Sequence, residues 1–560
     1  MESKRASGPD HHVPSTTHAI SHQVAVALRE RGVSVIFGLV GHTNYLFVAS
    51  FIELGGRFVT MRHESGVVAA ADAYARTSGG VGVATVTQGP GLTNTATALV
   101  EARKASTPVL LVAGDTVLGA EDNQDIDQDA FAESLGIRAT RPISAEDALA
   151  TSIAAFDLAL TARCPVLLSI RQDIQAVRIA DSESAPTVMP PLSGPRGNEL
   201  EAAIQVLLKS KRPVIVAGRG CVVSGAKRAV MELAEQLGAP LATTIQAHGL
   251  FSGHPLNVGI CGGFSVDSTW EILSAADTIV AIGASLTTRT TRNGTLFAGA
   301  DVIHIDSAAQ GNFRVSGDAN ISTRALLEQL RAHCGRRSSW AERSQLAFPE
   351  DASDETGMDP SVATMELDSV LPQDRIVALD SGHHLGWPAR YLTVPNERSW
   401  VFAQDFQSLG LGLAGAVGAG QARPDSLTVS IVGDGGLRMS LSELDSAICA
   451  GTPLLVVVYD DSAYGAELHQ FGPVGEPVEP SLLRRLDFAG VATAMGARSA
   501  TVRQADEIGP ALADWLTAPS GVFLLQMYIT RSVRGDWMDN DVQYQSLQDE
   551  WMRLKAARSV

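Results

Sequence analysis

Positive charge is in short supply. Lys and Arg together number 43 against 61 Asp and Glu in 560 residues, a formal net charge of −18. Nucleic-acid backbones and anionic membrane surfaces call for a basic face, so both are excluded as partners. An anionic small ligand is not excluded, because a local site can oppose the global field. Cysteine is scarce too: Cys164, Cys221, Cys261, Cys334 and Cys449 are odd in number, far apart and form no CxxC pair. No disulfide framework or zinc site is expected, and a reducing cytoplasm suits the chain. No apolar run approaches the roughly 18 residues of a membrane-spanning helix. Residues 1–16, MESKRASGPDHHVPST, lack the apolar core of a signal peptide and read as a flexible tail, with His11 and His12 solvated.

What the chain does have is a rhythm. Short apolar runs recur at 33–40, 81–87, 108–114, 165–170, 213–218, 278–284, 302–306, 376–380, 428–434, 453–460 and 522–529. They are continuous rather than alternating, as parallel strands buried on both faces require. Helical stretches such as 65–77 and 226–238 lie between them, giving α/β units with right-handed crossovers. Two stretches break the rhythm: 186–197 (PTVMPPLSGPRG) and the polar, aperiodic 335–361. Read as linkers, they predict three open parallel-sheet α/β domains, 17–185, 198–334 and 362–540, each of ordinary size. A tail helix is expected over 541–560.

The chemistry concentrates at 431–465, IVGDGGLRMSLSELDSAICAGTPLLVVVYDDSAYG. One apolar strand ends at Gly433, Asp434, Gly435 and Gly436; a helix follows; a second apolar strand ends at Asp460 and Asp461. Ligands of open sheets gather beyond such carboxyl ends. Glycines admit a phosphate to the backbone, and two carboxylates with phosphate oxygens make a hard-oxygen site suited to Mg2+. The competing reading of GDGG alone is an ordinary strand–turn–helix with solvated acids. The whole arrangement, GDG followed after 24 residues by Asp-Asp-Ser-Ala-Tyr-Gly, resembles the cofactor signature of thiamine diphosphate enzymes. A second segment agrees: RHESGVVAAADAYARTSGG and TQGPGLTN within 62–94 are similar to the pyrimidine-binding domain of the acetolactate synthase-like branch. The likeness covers about 17–540 and implies the domain order pyrimidine-binding, central, diphosphate-binding.

The resemblance assigns roles. Glu64 would bond the ring nitrogen of the coenzyme's aminopyrimidine and stabilise the tautomer that acts as base; on residue type alone, a helix N-terminal Glu favoured by the dipole is the rival. Pro90 and Asn94 of the GPGLTN turn would line the pyrimidine. Leu409 would wedge the coenzyme into its bent form, and the Gln407 carbonyl would accept from its amino group. Gly382, His383 and His384 match a diphosphate-contacting loop, joined by Gly433, Asp434, Gly435, Gly436 and Tyr464. Asp434, Asp461 and the Ala463 carbonyl would ligate Mg2+, with Asp461 standing where Asn is commonest.

His42 and Glu467 depart from acetolactate synthases and match positions of acid–base groups in decarboxylases and lyases; a solvent-facing histidine and a surface glutamate are the alternatives. Gln88, His469 and His63 are weaker candidates. Glycine-rich strand ends in the middle domain, with Arg289 and Arg292, could cradle FAD, but no complete GxGxxG is present and an empty site is favoured. The expected enzyme decarboxylates a 2-oxo acid and ligates the resulting enamine to a second carbonyl compound, with simple decarboxylation or cleavage of a 2-hydroxyacyl-CoA or acyloin as alternatives. It is expected to be a cytoplasmic homodimer or homotetramer, with Glu64 of one subunit facing Asp434 of the other.

Overall fold

The structure is a computed structural model and describes residues 17–119, 122–181, 186–341, 349–540 and 549–553. The expected tail 1–16, with its histidine pair, lies outside the described residues; so does the 541–560 helix except for 549–553, which are helical. Three six-stranded sheets, parallel throughout and flanked by helices, carry the α/β architecture. The first runs Arg57–Thr60, Val35–Gly38, Gly82–Val86, Val109–Asp115, Pro165–Arg171, Arg138–Thr140 in spatial order. The second runs Asn257–Ile260, Leu241–Thr243, Pro213–Ala217, Thr278–Ile282, Asp301–Asp306, Phe313–Ser316. The third runs Trp400–Phe402, Arg375–Leu379, Leu427–Gly433, Leu454–Asp460, Val522–Tyr528, Arg498–Val502. A short antiparallel ribbon, Thr17–Ala19 with Arg178–Ala180, closes the first unit.

The first and third sheets share one winding, and the central sheet differs in placing its third strand outside its second. In all three, the first strand in the chain sends its crossover to one side, and the third strand in the chain sends the next crossover to the other. The crossovers therefore diverge between Val35–Gly38 and Gly82–Val86, between Pro213–Ala217 and Thr278–Ile282, and between Arg375–Leu379 and Leu427–Gly433. Such a switch point opens a crevice beyond the strand ends. The apolar runs occupy the sheet interiors, where both faces are covered: Leu427–Gly433 and Leu454–Asp460 are buried along nearly their whole length.

The first and third units are joined through two helices rich in small residues, Glu64–Ser78 and Gly412–Ala422, whose buried faces belong to one apolar core spanning both units. A Cβ on Gly418 would collide with the Ala70 carbonyl, so glycine is what lets the two backbones approach. Residues 349–359, read from sequence as part of a linker, are tied down. Met358 pairs with Ile529, and Asp354 accepts hydrogen bonds from Thr530 and Ser532 at 2.6 Å each.

Candidate active site

At the third sheet's switch point, register places the acids. Gly433 lies opposite Tyr459, and Asp460 opposite Tyr528. Asp434 and Asp461 therefore leave adjacent strand ends at nearly the same height. The two neighbouring acids of the second strand end divide the labour. Asp460 is spent on structure: it accepts from the Ser462 amide at 3.1 Å, the Ser462 hydroxyl at 3.0 Å and Gln526 Nε2 at 2.7 Å. Asp461 takes only the Ala463 amide at 3.0 Å and faces the cavity. Asp434 is 1% exposed, and its Oδ2 has no hydrogen-bond partner. Burial, reinforced by the charges of Asp461 and Asp460, raises the Asp434 pKa; burial raises that of Asp461 as well. Arg438 Nη2 stands 3.8 Å from Asp434 Oδ2, beyond hydrogen-bond reach, and does not offset burial, so the pair favours protonation and remains short of positive charge. A divalent cation supplies that charge, and this donor set fits Mg2+. The 463 bridge to Leu482 uses Ser462 O and Tyr464 N, so the Ala463 carbonyl takes no part in it. Among the described residues no group of three or more His, Cys, Asp or Glu could hold a metal, which leaves the remaining positions to ligand oxygens.

The acids line a cavity of about 940 Å³. Gly382, His383, His384, Gln407, Leu409, Gly433, Gly435, Gly436, Ala463, Tyr464 and Glu467 also line it. His384 packs on the crevice itself, its Nδ1 2.9 Å from where a Gly433 Cβ would stand. Burial depresses the His383 pKa to about 3 and that of His384 to about 4, so both rings are neutral. The Gly535 amide donates to His383 Nε2 at 3.0 Å, leaving the proton on Nδ1. His384 Nε2 is buried without a partner. Glu467 is exposed within the cavity wall, in the short helix Gly465–Phe471. His469 lies outside the lining and packs on His383, ring centroids 4.6 Å apart.

A second cluster forms at the first sheet's switch point. Glu64 opens the helix Glu64–Ser78, with His63 as its N-cap accepting from the Ser65 amide. Asn94 Nδ2 donates to Glu64 Oε2 at 2.9 Å, and Pro90 starts the turn between them. His42 is exposed, its Nε2 2.8 Å from Gln172 Nε2. Gln88 is buried and donates to Asp122 at 3.0 Å. None of Glu64, His42, Pro90 and Asn94 lines the large cavity. Within one chain the two sets of residues are thus separate clusters, and Glu64 is half-buried rather than enclosed.

Three buried acids that sequence reasoning missed support these clusters. Asp380, 1% exposed, accepts from the amides of Gly410, Leu411 and Gly412 at 2.9–3.2 Å. Glu443 accepts from the His63 amide at 2.9 Å and the Arg62 amide at 3.3 Å, tying the strand end of one unit to the helix start of the other. Glu101 accepts from the Asp405 and Phe406 amides at 3.1 and 2.6 Å. Only Asp380, the acid that ends IVALD, shares with Asp434 a place just past an apolar run.

Comparison with known proteins decides what this fold and cavity belong to. Models for the thiamine pyrophosphate enzyme N-terminal TPP binding domain, central domain and C-terminal TPP binding domain match residues 18–134, 200–326 and 380–527. The chain belongs to the thiamine pyrophosphate enzyme family. Within it the chain is acetolactate synthase-like. It is 29% identical over 527 residues to a probable acetolactate synthase large subunit of Methanocaldococcus jannaschii, covering 86% of this chain and 87% of that one. It is 28% identical over 524 residues to the acetolactate synthase isozyme 2 large subunit of Escherichia coli strain K12, covering 90% and 94%. It is 29% identical to a putative acetolactate synthase large subunit of Mycobacterium tuberculosis over 520 residues, 86% of this chain and 93% of that one. The protein is therefore a thiamine pyrophosphate-dependent enzyme, and the two clusters fall in segments matched by the two TPP binding domains. Among the described residues no helix is long and apolar enough to cross a membrane.

Proposed function

We propose that the protein binds thiamine diphosphate with Mg2+ and decarboxylates a 2-oxo acid, joining the two-electron fragment to a second carbonyl compound, as an acetolactate synthase-like carboligase. The observation that carries this reading is the buried acid pair Asp434 and Asp461, one oxygen unpartnered, on the same cavity as Leu409 and Gln407. When bound, the coenzyme supplies an acidic carbon whose conjugate base attacks the carbonyl and an electron sink for the departing CO2. The chain's own residues do the rest. Asp434, Asp461 and the Ala463 carbonyl would hold the metal; Gly382, His383, His384, Gly433, Gly435, Gly436 and Tyr464 would cradle the diphosphate. Leu409 would enforce the bent coenzyme, and the Gln407 carbonyl would accept from the pyrimidine amino group.

Glu64, with Pro90 and Asn94, would serve the pyrimidine from a second subunit, because these residues do not reach the cavity of their own chain. Exposed apolar side chains flank both half-sites, Val40, Tyr45 and Leu46 beside His42, and Phe406 and Met439 beside Gln407 and Asp434; a self-complementary interface would cover them. A homodimer is the smallest assembly that completes the site. His42 would approach from the same side as Glu64 and move protons at the substrate. FAD has no part in this proposal, although the central strand ends, with Gly220, Gly283 and Arg289, open onto the same cavity.

Glu467, exposed on the cavity wall, favours one second reading, a decarboxylase or acyloin lyase in which it protonates the fragment. Purified protein with thiamine diphosphate and Mg2+, given pyruvate, larger 2-oxo acids and carbonyl acceptors, separates the two. CO2 with a new carbon–carbon product is expected; aldehyde alone selects the second reading, and neither CO2 nor product overturns both.

A further inference from the structure

The loop that carries Leu409 is the place where all three units meet. It runs from the end of Trp400–Phe402 to the start of Gly412–Ala422. On one side, Glu101 of the helix Ala96–Lys104 in the first unit accepts from the Asp405 and Phe406 amides at 3.1 and 2.6 Å. On the other, Asp380 accepts from the Gly410 amide at 2.9 Å and from Leu411 and Gly412 at 3.2 Å. Both acids are 1% exposed. Arg76 braces the first clamp, donating to Glu101 at 3.0 Å and to the Phe402 carbonyl at 2.9 Å. Gln246 of the central unit donates to Asp405 at 2.8 Å. Between the clamps, Gln407 sits at φ +61°, a left-handed conformation that is unfavourable for a residue with a Cβ. Such backbone persists only where its surroundings over-determine it.

We infer that Glu101 is a positioning residue for the coenzyme: together with Asp380 it suspends the Gln407–Leu409 apex in the cavity at the height the bent coenzyme requires. This rests on the wedge role proposed for Leu409. The geometry is one-sided in a telling way. A loop anchored by water would relax, whereas a carboxylate paired with Arg76 and aimed at two successive amides fixes both the height and the rotation of the segment. Glu101 lies behind the cavity wall, in the helix whose end, Lys104, lines the cavity, so its contact ties the first unit's position to Leu409. Deletion of one clamp leaves the diphosphate and metal residues untouched, which separates positioning from binding.

The test is Glu101→Gln, in which the amide nitrogen meets a backbone donor, with Glu101→Asp as a shorter acid. The readout is deuterium exchange at the thiazolium C2 of the bound coenzyme, which needs no substrate, measured beside calorimetric affinity for magnesium thiamine diphosphate and melting temperature. Wild type is expected to accelerate exchange over free coenzyme. The Gln variant is expected to bind within about threefold of wild type yet exchange at least about tenfold more slowly, with Asp restoring part of the rate. Unchanged exchange in the Gln variant, or a loss that follows affinity or melting temperature alone, overturns the inference. Absence of binding and exchange in wild type overturns instead the reading of the site on which it rests.

Discussion

The switch points of the central and C-terminal units open onto one cavity, yet their glycines do different things. Both lie where crossovers diverge, and both are approached by glycine-bearing turns. In the central unit a Cβ at Gly220 would stand 2.6 Å from the Gly283 Cα; glycine there brings backbone onto backbone in the cavity wall. In the C-terminal unit a Cβ at Gly435 would stand 2.7 Å from the far edge of the Tyr464 ring; glycine there keeps a cavity open between movable side chains. The same residue type serves packing in one and access in the other. Topology fixes where a ligand site can form, and the side chains at the strand ends decide whether one does.

The sharpest way to break this contrast is Asp434→Asn. It replaces a buried acid that Asp461 and Asp460 crowd with a neutral amide, so the cofactor-free protein is expected to melt at a higher temperature. The same change is expected to weaken magnesium-dependent binding of thiamine diphosphate at least about 100-fold. Calorimetry and thermal melting on one preparation check both halves; weaker folding with intact binding would reverse the assignment.

A paired substitution comes next. Gly220→Ala forces two backbones apart and is expected to cost about 1–3 kcal/mol of stability while leaving coenzyme affinity unchanged. Gly435→Ala meets a ring that can swing and is expected to spare stability but weaken coenzyme binding about tenfold. The swap of these outcomes would show that the two crevices have been read the wrong way round.

The smallest effect is in pH. Asp434 and Asp461 have folded-state pKa values above those of the unfolded chain. The folded cofactor-free protein therefore holds protons that the unfolded chain releases, and this contribution is present at low pH and lost as pH rises through the folded values. The buried histidines work the other way. His383 and His384 are depressed, so their contribution is lost as pH falls below the ordinary histidine range and is constant above it. Between about pH 7 and pH 8.5 Asp434, raised to about 8, should show, since Asp461, raised to about 6, has already released its proton. The rise in melting temperature on adding magnesium thiamine diphosphate is expected to be larger at the upper end by a few degrees; an equal or smaller rise counts against a proton-holding Asp434.

Much of the fold was legible because burial writes itself into composition. Strands covered on both faces, such as PVLLVAG and PLLVVVYD, are unbroken apolar runs. Edge strands are not: RFVT at 57–60, RAT at 138–140 and RSATV at 498–502 carry polar residues on their open sides and gave no comparable signal. The site divides in the same manner. Asp434 and Asp461 were readable because each follows an apolar strand by one residue and the spacing between them spans one helix and one strand. Glu101 and Glu443 were not, because a carboxylate that accepts from distant amides leaves no local pattern; VEARK and SELDS look like ordinary amphipathic helix. Their partners, Phe406 and His63, are hundreds of residues away in the chain.

The central claim, that each coenzyme is held by Asp434 of one subunit and activated by Glu64 of the other, has a direct test in mixed dimers. Glu64→Gln and Asp434→Asn proteins, each expected to leave thiazolium C2 exchange near the rate of free coenzyme, are unfolded together and reassembled. Shared sites predict recovery to roughly one quarter of the wild-type exchange rate, since about half the dimers are mixed and each of those has one intact site. A mixture as inert as its components would contradict the account.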